Sequence, residues 1–382
     1  MAFLPFARPD ITEAEISAVV ETMRSGWLTT GPNAAAFEKE FVEFLGADAH
    51  GVAVNSATAG LHLAFEAIGV TAGTEVLVPT WTFTATAEAV RYLGGDPILV
   101  DCDPITLCMD LADAERKITP RTVAIAPVHY AGLGVPNGAL TELAERHNLK
   151  VVEDAAHSFP TVNEGTLIGA HGHAATVYSF YATKTMTTGE GGMVVTPDPE
   201  LASRMRTMRL HGINRDVFDR YSSSKPSWHY DVVAPGYKYN LTDTAAAMGR
   251  VQLKRTPEMV ARRSAIADRY DAEFAELPVT LPAKAPEGST HAWHIYNLRL
   301  TDDAQVDRDT FINKMAEAEV GTSVHFIPLH LQPYWRDTYS HSPEDFPVAT
   351  AQFKRTASLP IFSAMSDQDV DQVVAAVKGI LG

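Results

Sequence analysis

The chain has 382 residues, 46% of them apolar, and a formal net charge of -16. That length allows two domains and a large core without help from metals or disulfides, and its two cysteines, Cys102 and Cys108, make neither a disulfide framework nor the CxxC pair of a zinc ribbon or redox motif. The acidic balance excludes nonspecific binding to nucleic acid or to an anionic membrane surface, but not an anionic small molecule held in a locally positive site.

The opening MAFLPFARPD is too short and too soon charged for a secretory signal. No apolar run nears the roughly 18 residues of a membrane span. The expected location is the cytoplasm. From about residue 50 to 200, Val- and Ile-rich runs alternate with helical stretches. GVAVN (51–55) precedes TAGLHLAFEAIG, and EVLVP (75–79) precedes TATAEAVRYLG. PILVD (97–101), VAIAPVHY (123–130), KVVEDAA (150–156), ATVYSF (175–180) and GGMVVT (191–196) continue the series. Such runs separated by helices predict a buried, mainly parallel sheet in an α/β domain, with ligands at the carboxyl ends of its strands. Residues 242–275 read as helical, with Pro257 marking a break or a new start. Beyond lies a smaller α+β unit, with strands at 294–300 and 321–326, helices at 307–319 and 366–380, and a surface loop at 284–291. The expected division is 1–250 and 251–382.

Three pieces carry chemistry. Ser56-Ala57-Thr58 follows the first strand and opens a helix, where a hydroxyl caps the helix and free N–H groups can hold a phosphate. Asp154 ends the strand of Val151 and Val152, within EDAAH (153–157). Lys184 lies in SFYATKTMTTGEGG (179–192), among Thr183, Thr185, Thr187 and Thr188 and before Gly189, Gly191 and Gly192. A lysine amine attacks aldehydes once its surroundings deprotonate it. A phosphate cradle, a nucleophilic lysine and a carboxylate share one economical explanation, pyridoxal 5'-phosphate. The carboxylate keeps the pyridine nitrogen protonated, so the ring can accept electrons. PTWTF (79–83) adds Trp81 and Phe83, either of which offers an aromatic face over that ring. No metal is expected.

In this order, SGWLTTGP (25–32), VNSATAGLHLAF (54–65), VEDAAHS (152–158), SFYATKTMTTGEGG (179–192), PGYKYNLTDTAAAMG (235–249), HAWHIY (291–296) and VGTSVHF (320–326) resemble the sugar aminotransferases of the DegT/DnrJ/EryC1/StrS family. The similarity covers nearly the whole chain. It implies the aspartate aminotransferase fold (fold type I) and pyridoxal phosphate. It also implies Lys184 as the residue that bonds to the cofactor and later moves a proton, Asp154 at the pyridine nitrogen, and His157 near the ring 3-hydroxyl. Ser56, Ala57, Thr58 and Ser179 would hold the phosphate, and Phe83, rather than Trp81, would cover the ring. In a homodimer with shared active sites, Lys238 or Asn240 would reach the neighbour's phosphate. Thr29, Thr30, Gly31, Trp81, Tyr181, His325 and His330 are the candidate substrate contacts, while Trp228 and Trp293 are expected to pack.

Two positions depart from common family patterns, Tyr181 in place of histidine and Lys238 in place of asparagine, and both bear on substrate rather than chemistry. Relatives that dehydrate carry histidine in place of the lysine, so Lys184 favours amino transfer. The expected reaction takes an amino group from L-glutamate to a nucleotide-linked 4-keto sugar, as in the enzymes that form UDP-4-amino-4-deoxy-L-arabinose. A 3-keto-sugar or keto-cyclitol substrate remains open at this point, as does a regulatory protein that binds the cofactor without turnover.

Overall fold

A computed structural model describes residues 3–214 and 229–382. Trp228, expected to pack, lies outside the described residues. The chain begins with helices α1 (Glu13–Ser25) and α2 (Pro32–Leu45). Strands then alternate with helices: β1 (His50–Val54), α3 (Ala57–Ala67), β2 (Glu75–Pro79), α4 (Ala85–Tyr92), β3 (Asp96–Val100), α5 (Leu111–Arg116), β4 (Thr122–Ile125), α6 (Asn137–Arg146), β5 (Lys150–Asp154), β6 (Ala175–Ser179), β7 (Gly192–Thr196) and α7 (Pro199–Met208). The seven strands form one sheet in the order β1-β7-β6-β5-β4-β2-β3. The pairs β2–β3, β2–β4, β4–β5 and β5–β6 are parallel, and β7 runs antiparallel to both of its neighbours. Val76, Val78, Val152, Val177 and Val194 are fully buried in one core with Leu61, Leu63 and Phe65 of α3, as an α/β sheet covered on its faces requires.

Because β7 is reversed, its first residue meets the last residues of β1 and β6, with Gly192 opposite both Val54 and Ser179. A Cβ on Gly192 would lie 2.8 Å from the Tyr178 carbonyl oxygen and 2.9 Å from the Ala57 nitrogen. Glycine is therefore what lets the start of α3 sit directly on the sheet edge.

The 32-residue helix α8 (Asp243–Phe274) runs without interruption through Pro257, where the sequence predicts a break. The proline removes the hydrogen bond to the Leu253 carbonyl, but Leu253, Thr256 and Met259 are buried on either side of it. The Thr256 hydroxyl donates to the Gln252 carbonyl oxygen at 3.0 Å. Tertiary packing on both flanks thus outweighs a local cost of about 3 kcal/mol. Residue 250 falls inside this helix. Its first half packs into the aromatic cluster of Phe37, Phe41 and Phe180, and Ile266, Ala267, Tyr270 and Phe274 pack into a separate C-terminal core.

That second core is built on β8 (Val279–Thr280), β9 (Tyr296–Leu300) and β10 (Thr356–Leu359), with α9 (Arg308–Glu317) and α12 (Asp367–Leu381) against them, while α10 (Pro333–Tyr339) and α11 (Pro347–Phe353) bury Trp335 and Ala349 in the first core. The predicted strand at 321–326 is absent, leaving a single bridge from Ser323 to Ser358. Its start is claimed by the N-terminal segment instead, since Gly321 N–H donates to the Leu4 carbonyl. The predicted strand 123–130 stops at Ile125 because Pro127 has no N–H to continue a ladder.

Replacing Gly192 with alanine is expected to destabilise the protein by about 1–3 kcal/mol through backbone overpacking and to weaken retention of inorganic phosphate or of the cofactor. Thermal melts with and without pyridoxal phosphate would measure both effects.

Candidate active site

The site gathers at the carboxyl edge of the sheet. Ser56 caps α3, its hydroxyl accepting from the Ala59 N–H at 3.1 Å. The N–H groups of Ala57 and Thr58 lie in the first turn and have no acceptor within the helix. Ser179 ends β6 across Gly192 from that turn. Free N–H groups, the positive end of a helix of 11 residues and a nearby serine hydroxyl fit a phosphate.

Asp154 is buried where β5 ends. Its Oδ2 accepts from the Thr86 hydroxyl at 2.7 Å and its Oδ1 from the Ala156 N–H at 3.1 Å. Burial pushes this carboxyl above its ordinary range, while Thr86, the Ala156 N–H and the charge of Lys184 oppose the rise. The Lys184 amine is pushed down to about 8, chiefly by burial and further by Arg263, against the pull of Asp154. Lys184 Nζ lies 3.4 Å from His294 Nε2.

His157 accepts from the Ala131 N–H through Nδ1 at 3.3 Å, which leaves its proton on Nε2. Burial, then the neighbouring Lys184 and His325, hold it well below the usual histidine range. Its ring lies 4.5 Å from that of His294 and nearly parallel to Phe326 at 5.7 Å. Phe83 is 59% exposed and 5.9 Å from Phe326, so an apolar face is open beside these groups.

Several other expected contacts fall elsewhere. Trp81 is fully buried, edge-on to Tyr130 at 6.1 Å, and cannot line a pocket. His330 is a structural residue. Its Nδ1 meets the Thr80 hydroxyl at 2.8 Å and its Nε2 the Thr350 hydroxyl at 2.9 Å, while its ring stacks on Phe346. Gly31 is buried, donates its N–H to Asp243 and would drive a Cβ into Trp27. The Thr30 hydroxyl donates to the Leu241 carbonyl and accepts from the Asn240 amide, so it braces the chain rather than facing a ligand. Thr29 and Tyr181 are exposed. His325 is half-buried, with Nδ1 at 3.0 Å from the Ser358 hydroxyl, and burial and Lys184 pull it down to about 4.

The Lys238 ammonium rests on the Asn240 side-chain oxygen. The segment runs beside its own chain's β1, taking the Asn55 N–H on the Tyr239 carbonyl at 2.8 Å. The threonines after Lys184 turn inward: Thr187 donates to the Phe180 carbonyl and Thr188 to that of Glu190, stiffening the loop from within. Trp293 packs as expected, stacked on His291 at 4.0 Å.

Three members of the site are not anticipated by sequence reasoning. Thr86 sits in an ordinary helical stretch, four residues after Thr82, and nothing local marks it. His294 lies inside HAWHIY and is visible there only as part of a motif. Arg263 carries the clearest signal, a charged residue on the apolar stripe of Met259, Ile266, Ala267 and Tyr270. It is 2% exposed, and its Nη1 donates to the carbonyls of Ile361 at 2.6 Å and Trp293 at 3.0 Å.

The cradle at α3, a depressed lysine amine, a buried carboxylate and an open aromatic face suit pyridoxal phosphate, and the buried His294 Nδ1 without a partner is the kind of atom a ligand site leaves open. Residues 9–378 match the DegT/DnrJ/EryC1/StrS aminotransferase family. The spore coat polysaccharide biosynthesis protein SpsC of Bacillus subtilis (strain 168) is 45% identical over 99% of this chain and 97% of its own length. The uncharacterized protein MJ1066 of Methanocaldococcus jannaschii is 42% identical over 100% of this chain and 98% of its own. Spr1654 from Streptococcus pneumoniae, described as a sugar aminotransferase, superposes in its PMP form with a TM-score of 0.92 at 33% identity, covering 99% of this chain and 98% of that one. Its PLP form gives 0.91 at 32% over 100% of both chains. The chain therefore belongs to the DegT/DnrJ/EryC1/StrS aminotransferase family, as a sugar aminotransferase with the aspartate aminotransferase-like fold that uses pyridoxal phosphate.

Proposed function

We propose that this aminotransferase moves the amino group of L-glutamate onto a nucleotide-linked keto-sugar, with a 4-keto or 4-keto-6-deoxy sugar as the acceptor. The observation that carries the reading is the Lys184 amine, buried and brought near neutrality beside the Asp154 carboxylate. The name of the relative SpsC supports a product destined for a surface polysaccharide.

The bound cofactor supplies an aldehyde and an electron sink. Lys184 contributes an amine that is unprotonated far more often than an ordinary lysine, first as nucleophile and then as the base that moves the α-proton. Asp154, held on two sides, presents a carboxylate to the ring nitrogen. The Ala57 and Thr58 N–H groups and the hydroxyls of Ser56 and Ser179 form the phosphate end of the site. His157, with its proton on Nε2, is a donor for the ring hydroxyl. Phe83 would cover one ring face. A homodimer is part of the proposal, with Lys238 or Asn240 serving the partner's phosphate. Equilibrium sedimentation compared with activity on dilution tests it, and a fully active monomer would refute it.

The direct test is mass spectrometry of products from a panel of nucleotide 4-keto and 3-keto sugars supplied with glutamate. A mass matching the amino sugar from the 4-keto members is expected, and amination confined to 3-keto members would overturn the carbonyl assignment.

Lys184→Ala should lower turnover by about 10³-fold or more and abolish the yellow colour that glutamate bleaches. Thr86→Val removes one of the two hydrogen bonds to Asp154. A bond to a charged group contributes about 1.5–3 kcal/mol, so kcat should drop by roughly 10- to 100-fold and cofactor affinity should fall, both readable from steady-state kinetics and a cofactor titration. Because burial depresses the Lys184 amine to about 8 and only the neutral form attacks, cofactor capture by the apoprotein should accelerate about tenfold per pH unit up to pH 8 and level off above it. Stopped-flow absorbance against pH would show this limb.

A further inference from the structure

The group that Lys184 touches is not its carboxylate. Among the described residues, the hydrogen-bond partner of Nζ is His294 Nε2 at 3.4 Å. His294 is 7% exposed, and its backbone is fixed from two sides. Its N–H donates to the Ala131 carbonyl at 2.9 Å, and the carbonyl of the preceding residue, Trp293, accepts from Arg263. The His157 ring packs against it at 4.5 Å. Among the described residues, cations and ionisable groups face this spot from every side: Lys184 from its loop, Arg263 from α8, His157 from the turn after β5 and His325 from the 321–326 segment, with the Asp154 carboxylate at the end of β5.

We propose that His294 is a positioning residue for Lys184, a neutral imidazole that takes one N–H of the amine on Nε2 and so aims the lysine lone pair at the reacting atoms. The proposal rests on the reading of Lys184 as the reacting amine. A neutral ring with Nε2 as acceptor carries its proton on Nδ1. Ammonium and free amine both have an N–H to give, so the same contact serves both charge states of the lysine without a change of tautomer. Burial, with Lys184 the next cause, holds His294 well below the ordinary histidine range, consistent with a ring that stays neutral throughout.

The test compares His294→Ala, His294→Gln and His294→Asn. A glutamine places its terminal amide near the position of Nε2, and an asparagine places its own near Nδ1. In the half-reaction with L-glutamate, followed by the bleaching of the cofactor band, His294→Ala should be about 10- to 100-fold slower, with KM for glutamate within about twofold and a larger isotope effect with α-deuterated glutamate. His294→Gln should recover most of the rate and His294→Asn should not.

In the apoprotein, labelling of Lys184 by acetic anhydride, read by peptide mass spectrometry across pH, should show its midpoint moving up in His294→Ala as water enters beside the amine. Unchanged rate and midpoint in His294→Ala would overturn the proposal, and so would equal rescue by Asn and Gln, the signature of simple space filling. If the alanine variant melts early, the comparison between Gln and Asn decides. A silent His294→Ala alongside a dead Lys184→Ala removes only this inference. An active Lys184→Ala removes the functional reading beneath it.

Discussion

Helix α8 fixes the site. Near its start, the Asp243 carboxylate accepts from the N–H groups of Gly31, Asn33 and Ala34 and so caps α2 in place of a local side chain. Nine residues on, Gln252 accepts from the Thr187 N–H of the lysine loop and donates to Asp10 and Glu15 of the N-terminal segment. Arg255 adds ion pairs to Asp10 and Glu15. Burial alone would raise the Glu15 carboxyl, but Thr12, Arg255 and Gln252 hold it well down. Arg263 then grips the carbonyls around His294. One rod about 48 Å long thereby sets the spacing between the opening loop, the lysine loop and the His294 turn. This accounts for the helix continuing through Pro257, since a break there would release the lysine loop from the histidine that meets it.

The electrostatics of the pocket run against those of the chain. A protein with a formal charge of -16 surrounds its reacting amine with Arg263, the rings of His157, His294 and His325, and one carboxylate. Burial makes each histidine easier to keep neutral than to charge. The result is a compartment in which the Lys184 amine is brought down to about 8 while burial holds the three histidines below their ordinary range.

The sequence made the strand ends legible because each combines two independent signals. A Val-rich run followed by Ser-Ala-Thr, Glu-Asp-Ala or Thr-Lys changes abruptly from apolar to polar, and the sheet turns that change into position. Lys184, Asp154 and Ser56 were readable for this reason, and they meet at one edge. The side chains that fell elsewhere share a different property. Trp81 lies two residues from Phe83 in the same turn, so periodicity alone does not separate the buried ring from the open one, and it is the resemblance that favours Phe83. His330 and Thr30 look like ligands because they are polar, yet each satisfies a partner more than 200 residues away, Thr80 and Leu241. Thr86 and Arg263 are the converse, since their importance comes from a carboxylate 68 residues away and from carbonyls about 30 and 98 residues away. The bonds themselves leave no trace in local periodicity, and only the charge of Arg263 on an apolar stripe marks its position.

Arg263 shows why this arrangement persists despite its cost. A guanidinium taken out of water without a carboxylate in contact is expensive, and three carbonyl contacts from one nitrogen replace only part of its hydration. Among the described residues its Nε has no partner, and neither does His294 Nδ1. In a core serving stability alone, a methionine of similar length would satisfy the stripe of Met259, Ile266 and Tyr270 better. What the cation adds is field. It lowers the Lys184 amine, adding to burial and opposing the pull of Asp154. The large apolar cores on either end of α8 supply the stability that lets the site remain in that state.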